Sequence, residues 1–150
     1  MLVTGSADKS VKLWNTASFE SVRRYRGHTD FISALAIKPD GSAIASASFD
    51  GNIRVWSSKS NSTLRRLYGH QGPVGGLAFA PSGDVLVSAG QDGKVRLWDL
   101  KGGRAARVLP GTIIGQNDIS ISPDGTKIIA AGADGKLHVW AMLQLKIAGR

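Results

Sequence analysis

The apolar residues fall in short runs separated by turn-forming residues. Ile32 to Ile37, Ser42 to Ser48, Ile53 to Trp56 and Thr63 to Leu67 are four such runs in succession. Runs of this length, rich in β-branched and aromatic side chains, read as strands. Asp40-Gly41, Ser82-Gly83 and Asp124-Gly125 each follow a proline, and they suit tight hairpin turns. Asp50-Gly51, Asp92-Gly93 and Asp134-Gly135 mark a second set of hairpins. Each unit therefore predicts four strands: inner (a), second (b), third (c) and outer (d). Some runs, such as Val85-Leu86-Val87, are apolar on both faces, which suits a sheet covered on both sides by its neighbours. No run has the length and periodicity of an amphipathic helix.

The pattern repeats. The tryptophans are Trp14, Trp56, Trp98 and Trp140, each 42 residues from the next. Asp8, Asp50, Asp92 and Asp134 each precede a Trp by six residues. Pro39, Pro81 and Pro123 recur with Gly41, Gly83 and Gly125 two residues on. Gly27-His28 recurs as Gly69-His70 and then as Gly111-Thr112. A period of this size lies in the range of solenoids and propellers.

With the Gly-His pair, the Asp-to-Trp spacing and the single Trp98-Asp99 pair in view, the chain resembles the WD-repeat β-propeller family over nearly its whole length. The resemblance implies an all-β propeller of four-stranded antiparallel blades. It divides the chain into an incomplete blade at residues 1–26 (strands b, c and d) and blades at 27–68, 69–110 and 111–150. It also implies a buried network in each blade, running from Trp to Ser to His to Asp. In this sequence the network maps to His28, Ser46, Asp50 and Trp56, then to His70, Ser88, Asp92 and Trp98. Thr4, Asp8 and Trp14 stand as the remainder of an earlier set. In the last unit Asp134 and Trp140 persist, but Thr112 replaces the His and Ala130 the Ser, so that blade is expected to be the least rigid. A buried hydrogen bond to a charged group contributes ~1.5–3 kcal/mol, so loss of one partner strands the other. Propellers close with about four to eight blades. The expected partners therefore include missing blades, from a longer chain or from a second copy.

Nineteen basic residues against eleven acidic give a net charge of +8, and there is no cysteine. No apolar run approaches the ~20 residues of a membrane helix, so membrane insertion is not expected. The opening residues lack the basic region of a signal peptide, and an intracellular location is expected, with cytoplasm and nucleus undistinguished. Enzyme chemistry has little support. Ser46 and Ser88 with their His and Asp superficially copy a hydrolase triad, but a triad occurs once, in one cleft, and not at every repeat. The chain has one Glu, Glu20, and the Asp residues are committed to turns and networks. His138 belongs to a column with Lys12, Arg54 and Arg96, a basic structural face and not a ligand set. No metal-ligand spacing or phosphate loop appears, and no cofactor is expected.

Binding is the better reading. In the resembled family, partners dock on the face bearing the d–a and b–c loops. The corresponding positions here are Phe31, Ser33 and Phe49, then Pro73, Gly75 and Gln91, then Gly115, Asn117 and Ala133, with Ala7 from the first unit. Phe31 and Phe49 are the informative pair, because polar residues are the default in such loops. Arg23, Arg24, Arg26, Arg65 and Arg66, followed by Arg104 and Arg107, line the outer strands. They form a basic rim that suits RNA or another acidic partner, or that guards an exposed edge. The segment from Leu86 to Lys101 also resembles the box of propeller substrate receptors of cullin–RING ubiquitin ligases, which would make Asp99 and Lys101 adaptor contacts. The expected function is a non-catalytic scaffold for other proteins in a multiprotein complex. A nucleic-acid-associated scaffold and a ligase substrate receptor are the alternatives.

Overall fold

The computed structural model describes residues 1–102, 107–109 and 116–142, at 116 and 117 as backbone only. Thr112, Gly115, Arg104 and the outer strand expected after residue 142 lie outside the described residues. The described chain forms four antiparallel sheets and contains no α-helix. The first holds β1 (Leu2–Gly5), β2 (Val11–Trp14) and β3 (Ser21–Tyr25). The second holds β4 (Ile32–Ile37), β5 (Ala43–Ser48), β6 (Ile53–Ser57) and β7 (Thr63–Leu67). The third holds β8 (Val74–Phe79), β9 (Val85–Gly90), β10 (Val95–Asp99) and β11 (Arg107–Val108). The fourth holds β12 (Gln116–Ile121), β13 (Lys127–Gly132) and β14 (Leu137–Ala141). Each sheet runs in sequence order, as consecutive hairpins dictate, and the inner strands β4, β8 and β12 lie side by side. This is the partial propeller that the repeat implies.

The prolyl hairpins turn at Gly41, Gly83 and Gly125, with φ of 71°, 72° and 70°. The second hairpins place Gly51, Gly93 and Gly135 at φ of 79°, 75° and 74°. The first unit has Lys9 at the same point, held at φ 68° without glycine's freedom.

The core lies between sheets. Val11, Leu13 and Tyr25 of the first sheet meet Ile44 and Trp56 of the second. Ile53 and Val55 meet Val74, Leu86 and Trp98. Val95 and Leu97 meet Ile119 and Ile128. Each buried Trp thus packs against the preceding sheet, and its neighbours on strand c pack against the following one. Among the described residues the last sheet is less covered. Leu137 and Val139 are 73% and 58% exposed, whereas their repeat equivalents Val95 and Leu97 are 1% and 5% exposed. Full burial of such a side chain stabilises by ~1.5–3 kcal/mol, so the inner sheets hold most of the apolar stabilisation.

Buried polar networks and the candidate interaction face

In the second sheet the Trp56 indole N–H donates to Ser46 Oγ at 2.8 Å. The Ser46 hydroxyl lies 2.9 Å from His28 Nε2, and His28 Nδ1 lies 2.9 Å from Asp50 Oδ2. With Nδ1–H donating to the carboxylate and Nε2 accepting from the serine, one neutral imidazole satisfies every atom in the chain. The third sheet repeats the arrangement through Trp98, Ser88, His70 and Asp92 at 2.9, 2.7 and 2.9 Å. Each carboxylate also ties down its own surroundings. Asp50 accepts the backbone N–H groups of Thr29 and Asn52, and Asp92 those of Gln71 and Lys94. The network therefore clamps the b–c turn to the loop that enters strand a.

Burial holds both imidazoles below their ordinary value of 6.5, against the pull of Asp50 and Asp92. Burial works to raise the two carboxyls. The backbone N–H groups and the histidines outweigh it, and both stay below the ordinary 3.8. Ser46 and Ser88 are fully buried and each accepts an indole proton, so neither hydroxyl is placed to attack a substrate.

The basic column supplies a further member of each clamp. Arg54 donates to the Gly27 carbonyl at 2.7 Å and lies over Trp56, 5.6 Å from the ring centroid. Arg96 donates to Gly69 at 2.7 Å. The sequence signal for this member is the cation placed two residues before each Trp.

The outer units improvise. In the first, Trp14 donates to Thr4 at 2.8 Å, and Asp8 takes Arg24 at 2.7 Å and the Ser10 hydroxyl. In the last, His138, the column residue, lies 3.1 Å from Asp134 and stacks on Trp140 with ring centroids 6.2 Å apart.

The b–c turns and d–a loops meet at one end of the sheets. The Phe49 N–H donates to the Phe31 carbonyl at 3.0 Å, and Gln91 repeats the bond to Pro73 at 2.8 Å. Phe31 and Phe49 are 47% and 45% exposed, with ring centroids 6.2 Å apart. The third unit has Pro73 and Gln91 in their places. Ser33, Gly75 and Asn117 fall where strand pairing skips a residue, a bulge at the same point of each inner strand. The Ser33 hydroxyl donates to the Val74 carbonyl and so ties one sheet to the next. The side chain of Asn117 lies outside the described residues. Ala7 and Ala133 are exposed.

The rim arginines divide. Arg23 donates to the Ser58 and Lys59 carbonyls at 3.2 and 2.6 Å, Arg65 reaches the Leu100 carbonyl at 3.5 Å, and Arg24 holds Asp8. Arg26 and Arg66 are exposed. Asp99 accepts the N–H groups of Lys101 and Gly102, capping its own turn, and Lys101 projects outward. Among the described residues no cluster of His, Cys, Asp or Glu is placed to hold a metal ion. Nor is any helix among them long and apolar enough to cross a membrane.

The sequence pattern of the family described as WD domain, G-beta repeat, matches residues 1–15, 19–57, 61–99 and 105–141. The small ribosomal subunit protein RACK1y of Oryza sativa subsp. japonica is 42% identical over 45 residues, 30% of this chain and 13% of its own length. The WD repeat-containing protein VIP3 of Arabidopsis thaliana is 44% identical over 48 residues, 32% of this chain and 15% of its own. The nuclear distribution protein PAC1 of Coprinopsis cinerea is 42% identical over 40 residues, 27% of this chain and 9% of its own. Each match thus spans about one repeat and a small part of the relative.

Proposed function

Since the chain belongs to the WD40 family, whose repeats match it from end to end of its described sheets, we propose that it is a non-catalytic scaffold that holds another protein on the loop face around Phe31 and Phe49. The carrying observation is the aromatic pair. Two half-exposed rings in contact, on loops clamped by the His28–Asp50 network, present apolar area at low entropic cost. The burial of Ser46 and Ser88 supports a structural role for the Ser-His-Asp sets and not a catalytic one. The relatives are named for a ribosomal subunit and for nuclear distribution, which supports a shared interaction frame across different assemblies. The RNA reading draws less support, because Arg23, Arg24 and Arg65 are engaged within the chain. The ligase reading rests on Lys101, since Asp99 is occupied in its turn.

The test is quantitative capture from cell extract with the full chain as bait, wild type against Phe31→Ala and Phe49→Ala. Each substitution is expected to lower the bound partner at least ~10-fold, as for a hot-spot aromatic. The melting temperature should move by no more than ~2 °C, as for a surface change. Undiminished capture by both variants overturns the assignment.

A further inference from the structure

The opposite end of the sheets carries the a–b and c–d turns, and there the two inner junctions differ. Where the first sheet meets the second, Arg23 bridges the gap with two bonds, to the Ser58 and Lys59 carbonyls at 3.2 and 2.6 Å. Arg65 is its equivalent one repeat later. It reaches the third sheet only at the Leu100 carbonyl, at 3.5 Å, and turns its other nitrogen back to the Leu64 carbonyl at 2.9 Å. A cleft of about 350 Å³ lies open at this second junction. Val55, Phe79 and Leu100 line it apolarly, and Lys38, Arg65, Lys101 and Asp84 supply its charge. Leu64 stands at its wall, 44% exposed, where the pairing of β6 with β7 skips a residue. A bulge re-aims the side chain it carries. Three cations share the cleft with Asp84, and Lys38 is also paired with Asp40 at 3.1 Å, so a single positive charge remains in excess. Lys101 is 81% exposed along its side chain and only loosely engaged by Asp84, at 3.9 Å.

We propose that this cleft is a second docking site, distinct from the loop face, and that it takes an acidic peptide segment bearing a bulky apolar side chain. The volume sits at the small end of ligand sites (~300–1,000 Å³), enough for one or two large side chains. The apolar lining matches such an anchor. The excess of positive charge matches flanking carboxylates and disfavours a basic peptide. A nucleic acid fits less well, because the aromatic ring, Phe79, is partly buried and not laid open for base stacking.

Fluorescence anisotropy with a labelled Glu-Asp-Leu-Phe-Glu-Asp peptide and the full chain tests this. Binding is expected to be saturable. Lys101→Glu and Leu64→Ser should each weaken it ~10-fold with the melting temperature unchanged, as for surface substitutions at a binding site. Lys136→Glu, an equal charge change at an exposed site on the last unit, should leave it within ~2-fold, beyond the reach of screened charge. The proposal is overturned by any of four results. The peptide shows no binding up to ~1 mM. A peptide with Gly-Gly in place of Leu-Phe binds equally. Lys136→Glu weakens binding as much as Lys101→Glu, so that net charge alone is read. A uridine hexamer binds more tightly than the peptide, which assigns the cleft to nucleic acid instead.

Discussion

The second unit and the last unit share a backbone plan and differ in what holds it. In the second, a buried relay from Trp56 through Ser46 and His28 to Asp50 joins two strands, a turn and an entering loop. The His28 and Asp50 side chains are almost wholly shielded there. In the last, Ala130 stands where Ser46 stands, and Asp134 is met by His138 from its own hairpin at a partly exposed site. The first relay spans the sheet, while the second closes a local loop. The same contrast holds for the apolar residues, since Leu97 is buried and Val139 largely exposed. A repeat thus conserves geometry more readily than stabilisation. A position stabilises in proportion to what covers it, and the cover depends on the neighbouring sheet.

That contrast can be broken most sharply at the core. Leu97→Ala should cost ~2–5 kcal/mol in denaturant unfolding, and Val139→Ala well under ~1 kcal/mol. Equal costs would mean that the last sheet is covered as the third is. Next come the carboxylates. Asp50→Ala should destabilise by ~1–3 kcal/mol, because it strands the buried His28 and the Thr29 and Asn52 N–H groups. Asp134→Ala should cost clearly less by the same measurement.

Acid sharpens the point. His28 and His70 have depressed values in the fold, so the unfolded chain takes up protons first as the pH drops below about 6.5. Their contribution is complete above that value and is lost as the pH falls through the folded values. The depressed Asp50 and Asp92 add a second loss below their ordinary 3.8. Urea unfolding across pH 4–8 should therefore show stability falling toward acid, and a double His28→Asn, His70→Asn variant should lose the upper part of that dependence. The smallest effect belongs to the first unit. Lys9→Gly should stabilise by up to ~1 kcal/mol, because its left-handed backbone is then unstrained. A loss of stability would mean that the Lys9 side chain contributes more than the strain removes.

Much of this was legible in the sequence, for a physical reason. The Asp, His, Ser and Trp of each network are fixed by turn chemistry and by strand register, and both leave marks at constant spacing. The pairing of Phe31 with Phe49 follows from the same register. The long cations left no such mark. Arg54 and Arg96 sat in a recognised basic column, yet their reach back to the Gly27 and Gly69 carbonyls depends on a flexible side chain crossing between elements. Arg24 reads as rim and in fact occupies Asp8, through a flexible side chain that crosses from the outer strand to the turn. The half-open junction beneath Arg65 differs from its neighbour by two carbonyl distances, which no residue pattern encodes.

The fold rests on His28 and His70 as neutral structural links with the proton on Nδ1. Long-range ¹H–¹⁵N correlation spectra of the imidazole rings, recorded through a pH titration, test it most directly. Two rings protonated at Nδ1 alone are expected, remaining so as the pH passes below 6.5, the ordinary histidine value. Rings protonated at Nε2, or fully charged at neutral pH, would contradict the relay and with it the structural reading of both serines.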